Sequence, residues 1–430
     1  MFRRALSPWT FWLALAVALG LAWAQVDLWT AQNGLPDGHQ NEFLHVGNAL
    51  DLWGAWIDRD AWHLRYYLST NYWPPGFYLW PWPWMMALGA GHRAMVLANI
   101  GHDLQRPECI LAEPDGSLWA ADARGGVTHI AADGTQRFIG QRADDRFAQA
   151  ATDNADAFEA KFTQGTLPNG LAFAANGDIL ISNFGTDLLE CMTRDGQTRT
   201  LFDRIDGQAI GKVNFVLRDS KDRIWITVST KVNPWTKAAA SRVRDGYIAV
   251  VEPGRGIRIV ADGFFFTNEI RLDAREEWMY IVETTGPWIS RMRLDESHAD
   301  GVRLTERERF GPSHLGGPPD GIAFDAFGNL WCTLVMVDQL IALTPQGDKL
   351  LLLDDGDKDA SRHLVDAMAA GTATPEDMAR ARGTLAPWMA SITFGGADLR
   401  TVYIGSLLGT TIPYFRAPVA GLPMVHWTRS

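Results

Sequence analysis

The sequence predicts an all-β protein, a six-bladed β-propeller, on three observations. A short phrase recurs six times from about residue 104 onward, each copy pairs two alternating apolar strands across a tight turn, and each copy opens on an oxygen-bearing side chain. The clearest copy is Asp320-Gly-Ile-Ala-Phe-Asp-Ala-Phe-Gly-Asn-Leu-Trp331. Beneath it align the stretches that begin at Glu108, Asn169, Asn214, Asn268 and, more loosely, Ser391.

Copies spaced roughly 45 to 70 residues apart suit four-stranded blades. One blade cannot cover both faces of its own sheet, so six close into a ring and bury them against one another. Rotation about the ring axis carries the equivalent position of every blade to one mouth of the central channel. Glu108, Asn169, Asn214, Asn268, Asp320 and Ser391 are therefore expected to converge there. Trp225, Tyr280 and Trp331 stand at repeat positions and read as core, His129 as a structural strand residue, and Cys109 and Cys332 as buried strand thiols.

Two insertions break the rhythm. Residues 142–163, alternating charged with Ala and Phe, predict a helical excursion. Residues 355–389 predict a helical hairpin: one helix ends near Gly371, and Thr374-Pro375-Glu376-Asp377 supplies an N-cap, a first-turn proline and acidic residues for a second that stops by Gly383.

The chain has 430 residues, and a propeller of roughly 300 residues accounts for 101–430 and leaves about 100 at the N-terminus. A hydrophobic fraction of 47% with 21% charged residues describes a chain with a core. The net charge of -11 argues against a nucleic-acid partner, which demands a basic face. Three cysteines are too few and too scattered for a disulfide framework or a cysteine zinc site.

Residues 1–24 start with Arg3-Arg4, continue apolar from residue 8 and close on Ala22-Trp23-Ala24, a pattern shared by secretory signals and transmembrane anchors. More than half of the 19 tryptophans precede residue 85, and the run Tyr72-Trp73-Pro74-Pro75-Gly76 opens an aromatic, proline-rich stretch. Residues 25–100 read as a membrane-associated region, and 58–100 weakly resemble the N-terminal part of polytopic lipid-linked-sugar glycosyltransferases. The expected location is the membrane or an exported, extracytoplasmic compartment.

The predicted ring combines two carboxylates, Glu108 and Asp320, with the amide oxygens of Asn169, Asn214 and Asn268. Hard oxygen donors of this kind suit one divalent cation, calcium before zinc, manganese or magnesium. Two carboxylates also balance its charge in a partly buried channel.

Residues 104–427 resemble the senescence-marker-protein/gluconolactonase family of regucalcin-like propellers. The resemblance is carried by Pro107-Glu108, by Lys212-Val-Asn214 with Asp219 and Arg223, by Thr267-Asn268-Glu-Ile, by Pro318-Pro319-Asp320-Gly321-Ile322-Ala323-Phe324-Asp325, and by Thr393-Phe394-Gly395-Gly396. It implies a cation on Glu108, Asn214, Asn268 and Asp320, hydrolysis of lactones or related cyclic esters, and a general-base role for Asp320. No Gly-x-Ser-x-Gly elbow offers a competing nucleophile.

The chain departs from the sugar-lactone pattern at Lys212-Val-Asn214-Phe215. A lysine replaces the family's arginine fork and an aromatic replaces its acidic residue, so the expected pocket is more apolar. Asn169, Lys212, Phe215 and His314 are the candidate substrate-binding residues, His314 because its loop leads to Asp320. Two other readings stand beside the lactone or ester hydrolase: a strictosidine-synthase-like or paraoxonase-like propeller enzyme, and a noncatalytic, membrane-tethered propeller that holds a ligand or partner.

Overall fold

The computed structural model describes residues 98–142, 166–241 and 243–428. Residues 1–24 and nearly all of 25–100, with the membrane readings and the glycosyltransferase resemblance, lie outside them, as does the helical excursion expected over 142–163. Among the described residues no helix is long and apolar enough to cross a membrane.

Six four-stranded antiparallel sheets form the propeller. The inner strands of blades 1 to 6 are Ile110–Ala112, Pro168–Phe173, Val213–Arg218, Thr267–Leu272, Pro319–Phe324 and Met389–Gly395. Blades 1 to 5 run outward in chain order, whereas blade 6 takes its outermost strand, Ala98–Ile100, from upstream of the first blade. Ala98 pairs with Tyr414 and Ile100 with Ile412, which closes the ring non-covalently. The propeller therefore begins before residue 101, on a three-residue strand too short to carry a periodic signal.

The repeated phrase folds as a hairpin whose turn is fixed by one carboxylate. In blade 5 Asp325 Oδ1 accepts from the backbone N–H groups of Phe327 and Asn329, and Oδ2 accepts the Trp331 indole N–H at 3.0 Å. Asp219 does the same for Lys221, Arg223 and Trp225 in blade 3, and Glu113 takes the Trp119 indole at 2.6 Å in blade 1. The acid closes the turn and satisfies the one polar atom of a tryptophan that is otherwise core. Trp225 is fully buried, Trp331 and Tyr280 nearly so. His129 lies in the strand Gly126–Ile130 against Trp119, with ring centroids 4.3 Å apart. Cys332 is a buried strand residue, while Cys109, also buried, sits just before its strand instead of within it.

Neighbouring blades approach closely at the inner strands. A Cβ on Gly170 would stand 2.8 Å from Phe215 Cα, and one on Gly321 would overlap the Ala390 carbonyl. Hydroxyls stitch the same seams: Ser182 donates to the Asn214 carbonyl at 2.6 Å, Ser229 to that of Thr267 at 2.9 Å, and Thr333 to that of Ala390 at 2.5 Å.

The insertion in blades 5 and 6 forms two helices after α1, Trp235–Ser241: α2, Lys358–Ala370, and α3, Pro375–Ala381. Gly371 ends α2 in the left-handed conformation, φ 70°. Thr374 and Asp377 cap α3 reciprocally. Leu364 of α2 and Ala381 of α3 pack on the blade 5 core.

Candidate axial site

The phrase's first residue is the second residue of the inner strand in blades 2 to 5, and pairing in all of blades 2 to 6 slips at that point. Register shifts fall between Pro168 and Gly170, Val213 and Phe215, Thr267 and Ile270, Pro319 and Ile322, and Met389 and Ile392. A bulge re-aims the side chain it carries, and this one recurs by rotation. Glu108, Asn169, Asn214, Asn268, Asp320 and Ser391 are all at least nine-tenths buried.

Contacts link them around the ring. Asn169 Nδ2 donates to the Asn214 carbonyl at 2.9 Å and lies 3.3 Å from Asn214 Oδ1. Ser391 Oγ donates to the Glu108 carbonyl. Asn214 gives its own Nδ2 to Ser229 Oγ at 3.0 Å, and Asn268 gives its Nδ2 to Thr284 Oγ1 at 3.2 Å. Asn268 Oδ1 is buried with no hydrogen-bond partner among the described residues.

Two charged residues outside the expected set, Arg106 and Glu269, adjoin the site. Arg106 Nη2 lies 2.6 Å from Glu108 Oε2 and donates to Asn169 Oδ1 at 2.8 Å. Glu269, next to Asn268, is buried, pairs with Arg271 at 3.0 Å and accepts from the Ile322 N–H at 3.2 Å. Its sequence signal is that it stands where blades 2 and 5 have Gly170 and Gly321. Arg106 stands two residues before the phrase, where no repeat pattern marks it.

The carboxyls disfavour one another's charge. Burial raises Asp320 well above the usual carboxylate range, Glu108 and Glu269 raise it further, and Arg106 and a hydrogen bond from Asn268 act against them. Burial also raises Glu108 against the pull of Arg106. It pushes Glu269 up to about 7 despite Arg271.

These residues fit a divalent cation in donor chemistry: two buried carboxyls that repel, two amides whose N–H groups are taken by hydroxyls, and one amide oxygen left without a partner. Among the described residues no three His, Cys, Asp or Glu side chains cluster as a metal site. The set depends on the two asparagines.

The remaining substrate candidates lie apart. Lys212 Nζ is held by Asp187 Oδ1 at 2.9 Å and the Phe184 carbonyl at 3.2 Å. Phe215 is core, with the Arg271 guanidinium 4.6 Å over its ring. His314 accepts from the Gly316 N–H at 2.9 Å and lines a cavity of about 210 Å³ with Thr284, Trp288, Pro318, Val365 and Met368. Thr284 belongs both to this cavity and to the Asn268 contact.

Residues 143–354 match the family model of the SMP-30/gluconolactonase/LRE-like region. They are an SMP-30/gluconolactonase/LRE-like region. Similar solved folds include a gluconolactonase from Xanthomonas campestris, 18% identical with TM-score 0.52, over 76% of this chain and 93% of that one. Another is the calcium-binding protein regucalcin from Agrobacterium tumefaciens, 14% identical with TM-score 0.51, over 76% of this chain and 95% of that one. At these identities they establish the six-bladed fold of the SMP-30-like propeller. A 6-deoxy-6-sulfogluconolactonase of Pseudomonas putida is 27% identical over 182 residues, 41% of this chain and 52% of that protein. The chain thus spans about half the length of that curated relative. None of these matches bears out the glycosyltransferase resemblance of 58–100.

Proposed function

We propose that the SMP-30-like propeller hydrolyses lactones or related cyclic esters at its axial mouth. The observation that carries the reading is the bulge repeated in blades 2 to 6, which puts buried oxygen-bearing side chains at one rotational position of the ring. Glu108, Asn214, Asn268 and Asp320 would hold a divalent cation, calcium first among the candidates. When bound, such a cation supplies Lewis-acid polarisation of the ester carbonyl. Ser229 and Thr284 hold the two amide groups in place, so their oxygens need no reordering during reaction. Asp320 would accept the proton of the attacking water.

Substrate character follows from the neighbouring cavity. Pro318, Trp288, Val365 and Met368 give it an apolar wall, and Thr284 and His314 give it polar edges. A volume of about 210 Å³ accommodates a short alkyl or aryl substituent beside the ring ester. Lys212 and Phe215, tied into the structure between blades 2 and 3, offer a polyol nothing comparable.

The test is metal content and turnover of the purified full-length chain, wild type and Asp320→Ala, on a panel of sugar and alkyl lactones with calcium, zinc or manganese. Stoichiometric metal and turnover that both disappear in the variant support the reading. Bound metal with no turnover on any lactone favours a ligand-holding propeller instead.

A further inference from the structure

The axial mouth contains a cation belonging to the chain itself. Arg106 has a left-handed backbone, φ 56°, a conformation a non-glycine residue holds only when its surroundings enforce it. Its side chain and that of Glu108 are buried together, 10% and 9% exposed. One guanidinium nitrogen, Nη2, reaches both Glu108 Oε2 and Asn169 Oδ1. Two of the six axial positions are therefore already engaged by positive charge, and that charge also acts on Asp320. A divalent cation needs the same Glu108 carboxylate. Two positive charges a few ångströms apart in a buried mouth repel strongly.

We propose that Arg106 is an internal competitor for the axial cation: guanidinium and divalent ion alternate on Glu108, and the ion binds only as the guanidinium leaves the carboxylate. This rests on the axial cation of the proposed function and adds what controls its affinity. Before ion entry Arg106 pairs with the buried carboxylate and orients it. Its position outside the repeated phrase explains why the phrase alone gives a complete ligand set.

Calcium chloride is titrated calorimetrically into full-length wild type, Arg106→Gln and Arg106→Lys, with thermal unfolding followed in parallel. Competition requires Arg106→Gln to bind calcium about tenfold more tightly than wild type. Arg106→Lys, which keeps the charge, stays within about threefold of wild type. A purely structural arginine acts in the reverse direction, because its loss would loosen Glu108 and weaken the ion. Binding by Arg106→Gln that equals or falls below wild type overturns the proposal and leaves the axial ion standing. Absence of calcium binding from all three proteins overturns both, while binding that emerges only in Arg106→Gln supports the competition. Should Arg106→Gln fail to fold, Asn169→Ala removes the guanidinium's second anchor while leaving Glu108, Asn214, Asn268 and Asp320 unchanged, and calcium is expected to tighten about threefold. No tightening there rejects the proposal.

Discussion

In blades 3 and 4 the axial asparagines hand their N–H groups to hydroxyls of the adjoining strand, Ser229 and Thr284, and one amide oxygen, that of Asn268, is left with no partner. In blades 1 and 2 Glu108 is ion-paired with a guanidinium and Asn169 Oδ1 accepts from it. The repeated phrase is the same on both sides. What differs is its company: a hydroxyl following the second strand on one side, an arginine preceding the first on the other. One half of the mouth presents amide oxygens fixed by hydroxyls and the other a carboxylate and an amide already held by a guanidinium, so a single ring combines a donor set with a built-in competitor.

The largest effect is expected at Asp320, which feels Glu108 and Arg106 of blade 1 and Asn268 and Glu269 of blade 4. Asp320→Asn removes the proton acceptor and one candidate ligand, and kcat/KM on the preferred lactone is expected to fall by at least about 10³-fold. The unfolding midpoint stays level or rises, because a buried repulsive charge is gone. A matching loss of activity and stability would mean that the carboxylate holds the fold together instead.

Next come the hydroxyls that define the blade 3 and 4 half. Ser229→Ala and Thr284→Ala free an amide to rotate, and calcium affinity measured by calorimetry is expected to drop about 10-fold to 100-fold in each. Asn169→Ala, on the guanidinium half, shifts it the other way. If truncations on both sides weaken calcium alike, the contrast between the halves is void. A smaller effect tests the cavity beside Thr284: Met368→Trp fills it, and the rate ratio of long-chain to short-chain alkyl lactones is expected to fall about tenfold with short-chain turnover retained. An unchanged ratio would place the substituent elsewhere.

Much of this was legible in the chain. The register of oxygen-bearing residues, the capped hairpin around Gly371 and Thr374, and the acid and Trp of the turns in blades 1, 3 and 5 are all local patterns. Local pattern also marks Glu269, as a carboxylate where two other blades carry glycine, but nothing there says that it would be buried within electrostatic reach of Asp320. Ser229 and Thr284 were illegible for a different reason. Their value depends on an asparagine 15 or 16 residues away across a hairpin, and a hydroxyl at a strand end has no sequence signature. Lys212 shows the reverse failure: a basic residue two before an axial asparagine looks substrate-facing, yet its long stem lets it turn to Asp187. The three-residue closing strand at Ala98–Ile100 is defined only by its partner.

The smallest effect tests whether the mouth really strains under its own negative charge. Glu108, Glu269 and Asp320 are all shifted up, Glu269 to about 7. A carboxyl whose proton is held more tightly folded than unfolded contributes stability below its unfolded value, near 4.5, and that stability is lost as pH rises through the folded value. For Glu269 the window runs from about 4.5 to about 7. His129 and His426, which burial holds neutral, work in the opposite sense across part of this range. The clean readout is therefore a difference: in metal-free buffer the unfolding midpoint of wild type relative to Glu269→Gln is expected to decline by about 2 to 4 °C between pH 5 and pH 8. Calcium, which binds ionised carboxylates, should raise the wild-type midpoint more at pH 8 than at pH 5. A relative midpoint that stays flat between pH 5 and pH 8 would mean that Arg271 outweighs burial and keeps Glu269 ionised throughout that range.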